Sequence, residues 1–255
     1  MTSAVGIAPE RWTAAGVRHE VLLRTLPSLR HDMAAPVSVL RMATLLLKRQ
    51  LTATPIDAAA CVERLAVLDR QLGALIDGIR LLRGWETGAD AQLETVGRVL
   101  LVSKCVALLR PVFDLRGVSL VLDPALEAGS PTTASATTAD TASAGEAQWP
   151  GASALRYLLL AALCYLHDTD SEIGVIQIMP ADADALELRT QPRATDTRPL
   201  MAGLMLPEDR LEIDASALQC LANDLGYAVE LRVDVVRLCL ASSRLAAPAV
   251  PALGG

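Results

Sequence analysis

The chain has 255 residues, of which 52% are hydrophobic and only 3% aromatic, and it carries a net charge of −6. An acidic chain without a cluster of lysine and arginine is not expected to bind nucleic acid. No apolar run reaches the roughly 18–20 residues of a membrane span, and the N-terminus lacks the basic-then-apolar order of a signal peptide. The five cysteines are scattered among apolar residues, which predicts buried reduced thiols. We therefore expect a cytoplasmic protein with no nucleic-acid or membrane partner.

Two long helices are predicted at the start of the chain, after a flexible tail over residues 1–13. In the first helix, residues 14–51, apolar residues recur at steps of three and four. Thr54 and Pro55 then break the pattern. The stripe of the second helix alternates steps of four and three through Cys61, Leu65, Leu68, Leu72, Leu75, Ile79 and Leu82. Two such helices predict an antiparallel hairpin over residues 14–88, and closing its core requires a partner, so we expect a homodimeric four-helix bundle.

His31 is the candidate reactive residue of the first helix. It lies two residues from both Leu29 and Met33, so its side chain is predicted to point away from the buried stripe. The residues expected beside it on the outer face, as a surface for a partner, are Arg24, Ser28, Ala35 and Ser38.

From residue 91 to 242 the pattern changes to short strands and helices. Helices are predicted over residues 99–115, 153–166 and 215–225, and strands over 92–96, 118–122, 173–179, 185–189, 227–233 and 236–241. Residues 127–148 are rich in Ala, Ser, Thr and Gly and predict a disordered insertion, and residues 243–255 a second flexible tail. Helices on one face of a mixed sheet predict an α+β sandwich after the hairpin.

The sequence around His31 resembles the phosphoacceptor box of bacterial sensor histidine kinases and of dimeric histidine phosphotransferases of the ChpT-like type. His31-Asp32, with Pro36 five positions after the histidine, carries the likeness. Residues 108–111, 116–120 and 154–160 are similar to segments of the kinases' ATP-binding domain. The resemblance implies a phosphoacceptor hairpin followed by a degenerate kinase-like ATPase domain over residues 91–242.

Departures from the kinase pattern predict that the chain does not use ATP. The resemblance implies asparagines at positions 161 and 165, one of which would hold Mg²⁺, but the chain has Ala161 and Tyr165. The Asp-Gly box expected near residues 190–193 reads Thr-Gln-Pro-Arg, and residues 201–205 retain one glycine of the lid. Because phosphoryl transfer from ATP depends on these groups, we expect no cofactor and no metal of the chain's own.

The resemblance implies a histidine phosphotransferase that shuttles phosphate between receiver-domain aspartates through His31. Asp32 would orient or deprotonate the imidazole, and the receiver would supply its own Mg²⁺. Ala35 stands where bifunctional kinases carry Thr or Asn, so phosphatase activity is not expected. The expected partners are a second copy of the chain, response-regulator receiver domains and, as a further candidate, a hybrid histidine kinase.

Two alternatives remain open from the sequence. One is a pseudokinase or adaptor that binds a response regulator or a kinase without phosphotransfer, and the other is a divergent ATP-dependent histidine kinase. Two other His-acid pairs are weaker candidates. His19-Glu20 has Arg24 where the proline would stand, and His167-Asp168 ends an apolar helix, where a solvated turn is expected.

Overall fold

The computed structural model describes residues 9–83, 85, 93–127, 147–193 and 210–242. The chain forms two compact units, one of residues 1–24 with 88–255 and the other of residues 25–87. The helices are α1 (Pro9–Leu51), α2 (Ala58–Arg83), α3 (Arg98–Leu115), α4 (Pro124–Glu127), α5 (Ala152–Thr169) and α6 (Ala215–Leu225). The strands are β1 (Thr95–Gly97), β2 (Ser119–Leu122), β3 (Gln148–Pro150), β4 (Ile173–Asp182), β5 (Ala185–Pro192), β6 (Val229–Arg232) and β7 (Val235–Cys239).

The helical unit consists of α1 from residue 25 onward and α2. Met33 of α1 faces Gly78 of α2, where an added Cβ would lie 3.5 Å from the Cγ of Met33. Asp57 precedes α2 and accepts a hydrogen bond of 3.0 Å from the backbone N–H of Ala60, which satisfies one of the free donors of the first turn. The two predicted helices are therefore present, and α2 begins after the break at residues 54–55 that the sequence indicated.

The apolar stripe of α2 has one covered side and one open side. Cys61 is buried and Leu68 is half-buried, whereas Leu65, Leu72 and Ile79 are 50%, 49% and 48% exposed. We define the open stripe by its half-exposed members, which are Val62, Leu65, Leu72, Ile76 and Ile79. These residues recur at heptad spacing, with the exposed Asp69 at the one polar position between them.

The α/β unit contains a five-stranded sheet in the order β2-β4-β5-β7-β6. Strands β2 and β4 pair in parallel and the remaining pairs are antiparallel. Helix α5 is the centre of the core, because every residue from 155 to 166 is buried. A helix that is apolar on all sides is stable only when it is covered on all sides. The predicted combination of helices with a mixed sheet is confirmed, and β1 and β3 add a small antiparallel pair.

Helix α1 differs from its prediction in where it begins and in which unit holds it. It starts at Pro9 rather than at residue 14, with proline in the first turn, where its missing N–H costs nothing. Residues 9–24 belong to the α/β unit, so the unit boundary lies at 24/25 rather than ahead of residue 14. Val17 and Val21 are 5% and 0% exposed, which is the packing that holds this segment in helical form.

Several predicted features lie outside the described residues. These are residues 1–8 of the first tail, residues 128–146 of the insertion, the lid segment 201–205 and the tail 243–255. Among the described residues, no helix has both the length and the apolar character that crossing a bilayer requires.

The five cysteines are free thiols, as predicted. Cys61, Cys105 and Cys164 are buried, whereas Cys220 and Cys239 are only half-buried. Burial raises the pKa of the Cys105 thiol to about 12 and that of Cys164 to about 11. The thiols of Cys105 and Cys164 therefore stay protonated at neutral pH and behave as small apolar side chains.

Candidate functional site

The first candidate site is the surface around His31 on α1. The side chains of His31 and Asp32 are 84% and 68% exposed. The Nδ1 of His31 lies 3.6 Å from the Oδ1 of Asp32, a distance longer than a hydrogen bond. The imidazole is therefore open to a partner, and the carboxylate of Asp32 stands next to the nitrogen that it could orient or deprotonate.

The two predicted neighbours of His31 on its C-terminal side have small side chains. Ala35 and Ser38 are exposed on the same helix, as predicted. The hydroxyl of Ser38 donates to the carbonyl oxygen of Ala34 at 3.0 Å, so its own helix already satisfies this donor. Met33 faces α2 at Gly78, and the outward direction predicted for His31 is thus confirmed.

Arg24 and Ser28 do not share this exposure, so their predicted place on the outer face is wrong. Arg24 is 5% exposed and Ser28 is 9% exposed. Arg24 and His31 are seven residues apart and project from nearly the same side of α1, because an α-helix drifts by only about 20° per heptad. For Arg24 the difference is the unit, since Arg24 belongs to the α/β unit and His31 to the helical unit. Ser28 belongs to the helical unit like His31, so the unit boundary does not account for its burial.

A second cluster of polar side chains lies in the α/β unit, at the C-terminal end of α5. The carboxylate of Asp168 accepts a hydrogen bond from the Nη1 of Arg24 at 2.9 Å and forms an ion pair with its Nη2 at 2.8 Å. It also accepts from the backbone N–H of Ile213 at 3.0 Å. The Nη2 of Arg24 donates in addition to the carbonyl oxygen of Leu211 at 2.8 Å. One bidentate ion pair thereby joins α1, α5 and the segment that leads into α6.

The charges of this pair are fixed by its hydrogen bonds. Burial raises the pKa of the Asp168 carboxyl, but hydrogen bonds from His167, Arg24 and Ile213 outweigh burial and leave the pKa below its ordinary value of 3.8. Burial lowers the pKa of Arg24, but hydrogen bonds to Asp168 and Glu20 raise it by more. Both groups are therefore ionised at neutral pH.

The pair His167-Asp168 and the acid of the pair His19-Glu20 are part of this same network. His167 and Asp168 do not form a solvated turn, because their side chains are only 17% and 8% exposed. Glu20 is 4% exposed and accepts from the Nε of Arg24 at 2.8 Å, whereas the neighbouring His19 is exposed. Among the described residues, no group of three or more His, Cys, Asp or Glu is placed to hold a metal ion.

The network continues from His167 to two arginines that the sequence reasoning did not single out. The Nδ1 of His167 lies 3.2 Å from Asp168, and its Nε2 lies 2.9 Å from the Nη1 of Arg116. The same Nη1 also lies 3.1 Å from Nδ1, so Arg116 contacts both nitrogens of the ring. The Nη2 of Arg193 donates to the carbonyl oxygens of Arg116 and Ile173, each at 3.2 Å. No local pattern reveals this cluster, because residues distant in the sequence form it.

The positions that the resemblance compares with a nucleotide site carry no such chemistry. Ala161 and Tyr165 are 0% and 8% exposed within the apolar helix α5. The residues compared with the Asp-Gly box continue strand β5 as far as Pro192, beyond residue 189, at which the predicted strand ends. Thr190 donates its hydroxyl to the carbonyl oxygen of Asp234 at 3.4 Å.

The chain is similar to a solved structure of the histidine kinase AdeS of Acinetobacter baumannii, at 12% sequence identity and a TM-score of 0.32. The match covers 82% of this chain and 96% of that chain. A TM-score this low establishes neither a shared family nor a shared activity. No protein-family model matches the chain, and no curated protein does.

Proposed function

We propose that this protein is a dimeric histidine phosphotransferase of two-component signalling, which takes phosphate from one receiver-domain aspartate onto His31 and passes it to another. The observation that carries the proposal is the exposure of the His31 imidazole, 84% accessible, beside Asp32 on a helix whose opposite side contacts α2. An accessible imidazole next to a carboxylate has the two groups that a nucleophilic phosphoryl acceptor needs.

The proposed step is a displacement at phosphorus. An imidazole nitrogen of His31 attacks the phosphorus of an aspartyl phosphate, an N–P bond forms, the acyl O–P bond breaks and the aspartate carboxylate leaves. Asp32 holds or accepts the proton of the other ring nitrogen, Nδ1, which lies 3.6 Å away. In the second step a different aspartate attacks the phosphohistidine and the imidazole leaves. The receiver domain supplies Mg²⁺ for both steps.

The α/β unit offers support for transfer without ATP. Ala161 and Tyr165 occupy the positions at which a kinase would carry its metal-binding amides, and both are buried among apolar side chains. Mg²⁺ requires oxygen ligands in nearly octahedral geometry, which an alanine methyl and a buried phenol do not provide. A divergent ATP-dependent kinase is the less favoured function for this reason.

The open stripe of α2 supports the dimer. Leu65, Leu72 and Ile79 are each about half exposed in the single chain. Complete burial of an aliphatic side chain contributes about 1.5–3 kcal/mol, so covering the remaining half of each contributes on the order of 1 kcal/mol. We propose that a second copy covers this stripe and that a receiver domain docks near His31, over Ala35 and Ser38.

An adaptor that binds a response regulator or a kinase without transfer is the second candidate function. The feature that favours it is the distance of 3.6 Å between His31 and Asp32, which leaves this pair without a hydrogen bond. Such an adaptor would bind receivers through the same surface but would never carry phosphate.

Labelling with phosphorylated receivers distinguishes the two. Receivers carrying radiolabelled aspartyl phosphate are incubated with the wild type, with His31→Gln and with His19→Gln. We expect acid-labile label on the wild type and none on His31→Gln. His19 is the matched control, because it is also an exposed histidine of α1 followed by an acid. His19→Gln should therefore be labelled as well as the wild type.

Receiver binding, measured by calorimetry, completes the test. His31→Gln should keep its receiver affinity, because an exposed side chain contributes little to the fold. Label that persists in His31→Gln refutes the assignment of the acceptor. Receiver binding without label in the wild type favours the adaptor.

A further inference from the structure

The first turns of α1 carry an open stripe of their own, separate from that of α2. Trp12, Gly16, His19 and Leu23 follow one another at steps of four, three and four, so they lie on one face of the helix. Trp12 is 66% exposed and Leu23 is 45% exposed, whereas Val21 on the opposite face is completely buried. We call these four residues the α1 stripe.

The exposed side of α1 around this stripe carries no Lys, Arg, Asp or Glu. From residue 12 to residue 27 the exposed residues are Trp12, Thr13, Ala15, His19, Leu23, Leu26 and Pro27. After residue 29 the exposed residues of the same helix include Arg30, Asp32, Arg41, Lys48 and Arg49. A helix face that stays in water ordinarily carries charged residues. An uncharged face with an exposed tryptophan therefore indicates a surface that another chain covers.

The α1 stripe is compatible with a copy of itself. A Cβ added to Gly16 would meet no atom within 4 Å, so the space in front of this glycine is open and a second backbone can approach it closely. In two parallel helices each residue of such a stripe meets its own copy, which brings Trp12 against Trp12 and Leu23 against Leu23. Ala15 and Leu22, which flank the stripe, carry no charge. Like charges therefore do not oppose the pairing at these positions.

The area of the α1 stripe indicates what kind of contact it makes. Covering the exposed parts of Trp12 and Leu23 removes on the order of 200 Å² of surface per copy, whereas a stable interface buries about 800 Å² per partner. The stripe is therefore too small to hold a dimer by itself, and it needs a partner that is already bound nearby. A second copy at the open stripe of α2 is such a partner, because a twofold axis along a helical bundle makes the two copies of α1 parallel.

We propose that the α1 stripe pairs, in parallel and in register, with the α1 stripe of a second copy of this chain. The inference rests on the dimer of the proposed function and extends its interface to residues 12–23, which belong to the α/β unit. With helix axes about 10 Å apart and Cα atoms about 2.3 Å from each axis, two facing Cα atoms lie about 5 Å apart. This separation falls within the roughly 4.4–6.8 Å that a disulfide allows, so a cysteine at position 16 should bond to its copy.

Cysteine crosslinking of the full-length protein tests the pairing. Gly16→Cys, oxidised with copper phenanthroline, should give a disulfide-linked dimer in non-reducing electrophoresis. Ala15→Cys is the matched control, because Ala15 is exposed and lies one residue away, about 100° around the helix. It should give no more crosslinked product than the wild type, in which Cys220 and Cys239 are only half-buried.

The affinity of the dimer, measured by analytical ultracentrifugation, gives a second readout. Trp12→Ser should raise the Kd of the dimer by about 10- to 100-fold, because each dimer loses two indole contacts. Leu100→Ser is the control, since Leu100 is a 50% exposed leucine of α3 in the same unit, and it should leave the Kd unchanged.

The outcomes separate this pairing from the proposed function. A dimeric wild type with equal crosslinking in Gly16→Cys and Ala15→Cys overturns the pairing and leaves the dimer at α2 intact. Equal Kd values for Trp12→Ser and Leu100→Ser also overturn it, and the α1 stripe is then covered by another protein or by a part of this chain outside the described residues. A monomeric wild type overturns the pairing together with the dimer, whereas the labelling of His31 tests phosphotransfer separately.

Discussion

Replacing Asp168 with alanine should destabilise the α/β unit far more than an ordinary loss of an ion pair. Asp168 accepts one hydrogen bond from the Nη1 of Arg24 at 2.9 Å and one from the backbone N–H of Ile213 at 3.0 Å, and it pairs with the Nη2 of Arg24 at 2.8 Å. The side chains of Arg24 and Asp168 are 6% and 8% exposed, so water cannot replace the lost acceptor. The variant therefore leaves a buried guanidinium with Glu20 as its only carboxylate among the described residues.

The size of the effect follows from this burial. Removing one partner of a buried ion pair costs about 3–5 kcal/mol, because the other charge stays buried and uncompensated. Glu20 still binds the Nε of Arg24, so we expect the lower end, about 3 kcal/mol. For a chain of this size 1 kcal/mol shifts the Tm by about 2–4 °C, which gives a loss of about 6–12 °C.

Thermal unfolding followed by circular dichroism measures this loss, with Asp77→Ala as the control. Asp77 pairs with Arg80 at 3.1 Å, but the two side chains are more than 70% exposed. Exposed pairs contribute at most about 1 kcal/mol, so the control should change the Tm by a few degrees at most. If Asp168→Ala unfolds within 2 °C of Asp77→Ala, the network does not stabilise the fold in the way that its burial indicates.

The pH dependence of the same pair checks the cause. Hydrogen bonds hold the pKa of Asp168 below its ordinary value of 3.8, despite the opposing effect of burial. A carboxyl with a lowered pKa contributes stability above its ordinary pKa and loses that contribution as the pH falls through the lowered value. The free energy of unfolding of the wild type should therefore exceed that of Asp168→Ala by its largest amount at pH 6–7. This excess should decrease below pH 3.8. A difference that is constant down to pH 2 contradicts an electrostatic origin.

Three further predictions concern the proposed function. Asp32→Asn should slow the labelling of His31 by about 10²–10⁴-fold without abolishing it, since general-base catalysis has this magnitude. Single-turnover rates equal to those of the wild type would exclude Asp32 from the chemistry. Leu72→Lys with Ile79→Lys should convert a dimer to monomer in light scattering, whereas the control Ile56→Lys, 57% exposed outside the open stripe, should remain dimeric. Mg·ATP should not bind at micromolar concentration in calorimetry, because Tyr165 stands where the resemblance to the kinases implies a metal-binding asparagine; such binding would revive the kinase alternative.

The elements of the α/β unit could be predicted because their signals are local. Helix α6 was expected over residues 215–225 and spans Ala215–Leu225. Asp214 caps its start by accepting from the N–H of Ala217 at 2.7 Å, and Gly226 ends it with a φ of 81° that favours glycine. Helix α5 carries a continuous apolar sequence that only a buried helix can satisfy. Such caps and periodicities are properties of a few consecutive residues, so the sequence alone reveals them.

The polar network around Asp168 and His167 could not be predicted, because its contacts join residues far apart in the chain. Arg24 and Asp168 are 144 residues apart, and Arg116 and Arg193 are 77 apart. Each of these residues is an ordinary charged side chain in its own segment. For the same reason the sequence predicts that Arg24 lies on the exposed face around His31, because the periodicity of a helix gives the side on which a residue lies but not what covers that side.

The last prediction tests the unexpected start of α1 inside the α/β unit. A tail over residues 1–13 and a hairpin from residue 14 would leave Val21 on a helix that belongs to the hairpin, whereas the structure buries it completely in the α/β unit. Val21→Asp places a charge without a counter-charge at this position and should destabilise the α/β unit by several kcal/mol. The control, Ala15→Asp, changes an exposed residue of the same segment and should cost only the difference in helix propensity, up to about 0.7 kcal/mol. Chemical denaturation with tryptophan fluorescence follows the α/β unit through Trp149, which is 5% exposed, when both variants carry Trp85→Phe, because Trp85 of the helical unit is also buried. Equal midpoints for the two variants would mean that residues 9–24 do not pack on the α/β unit.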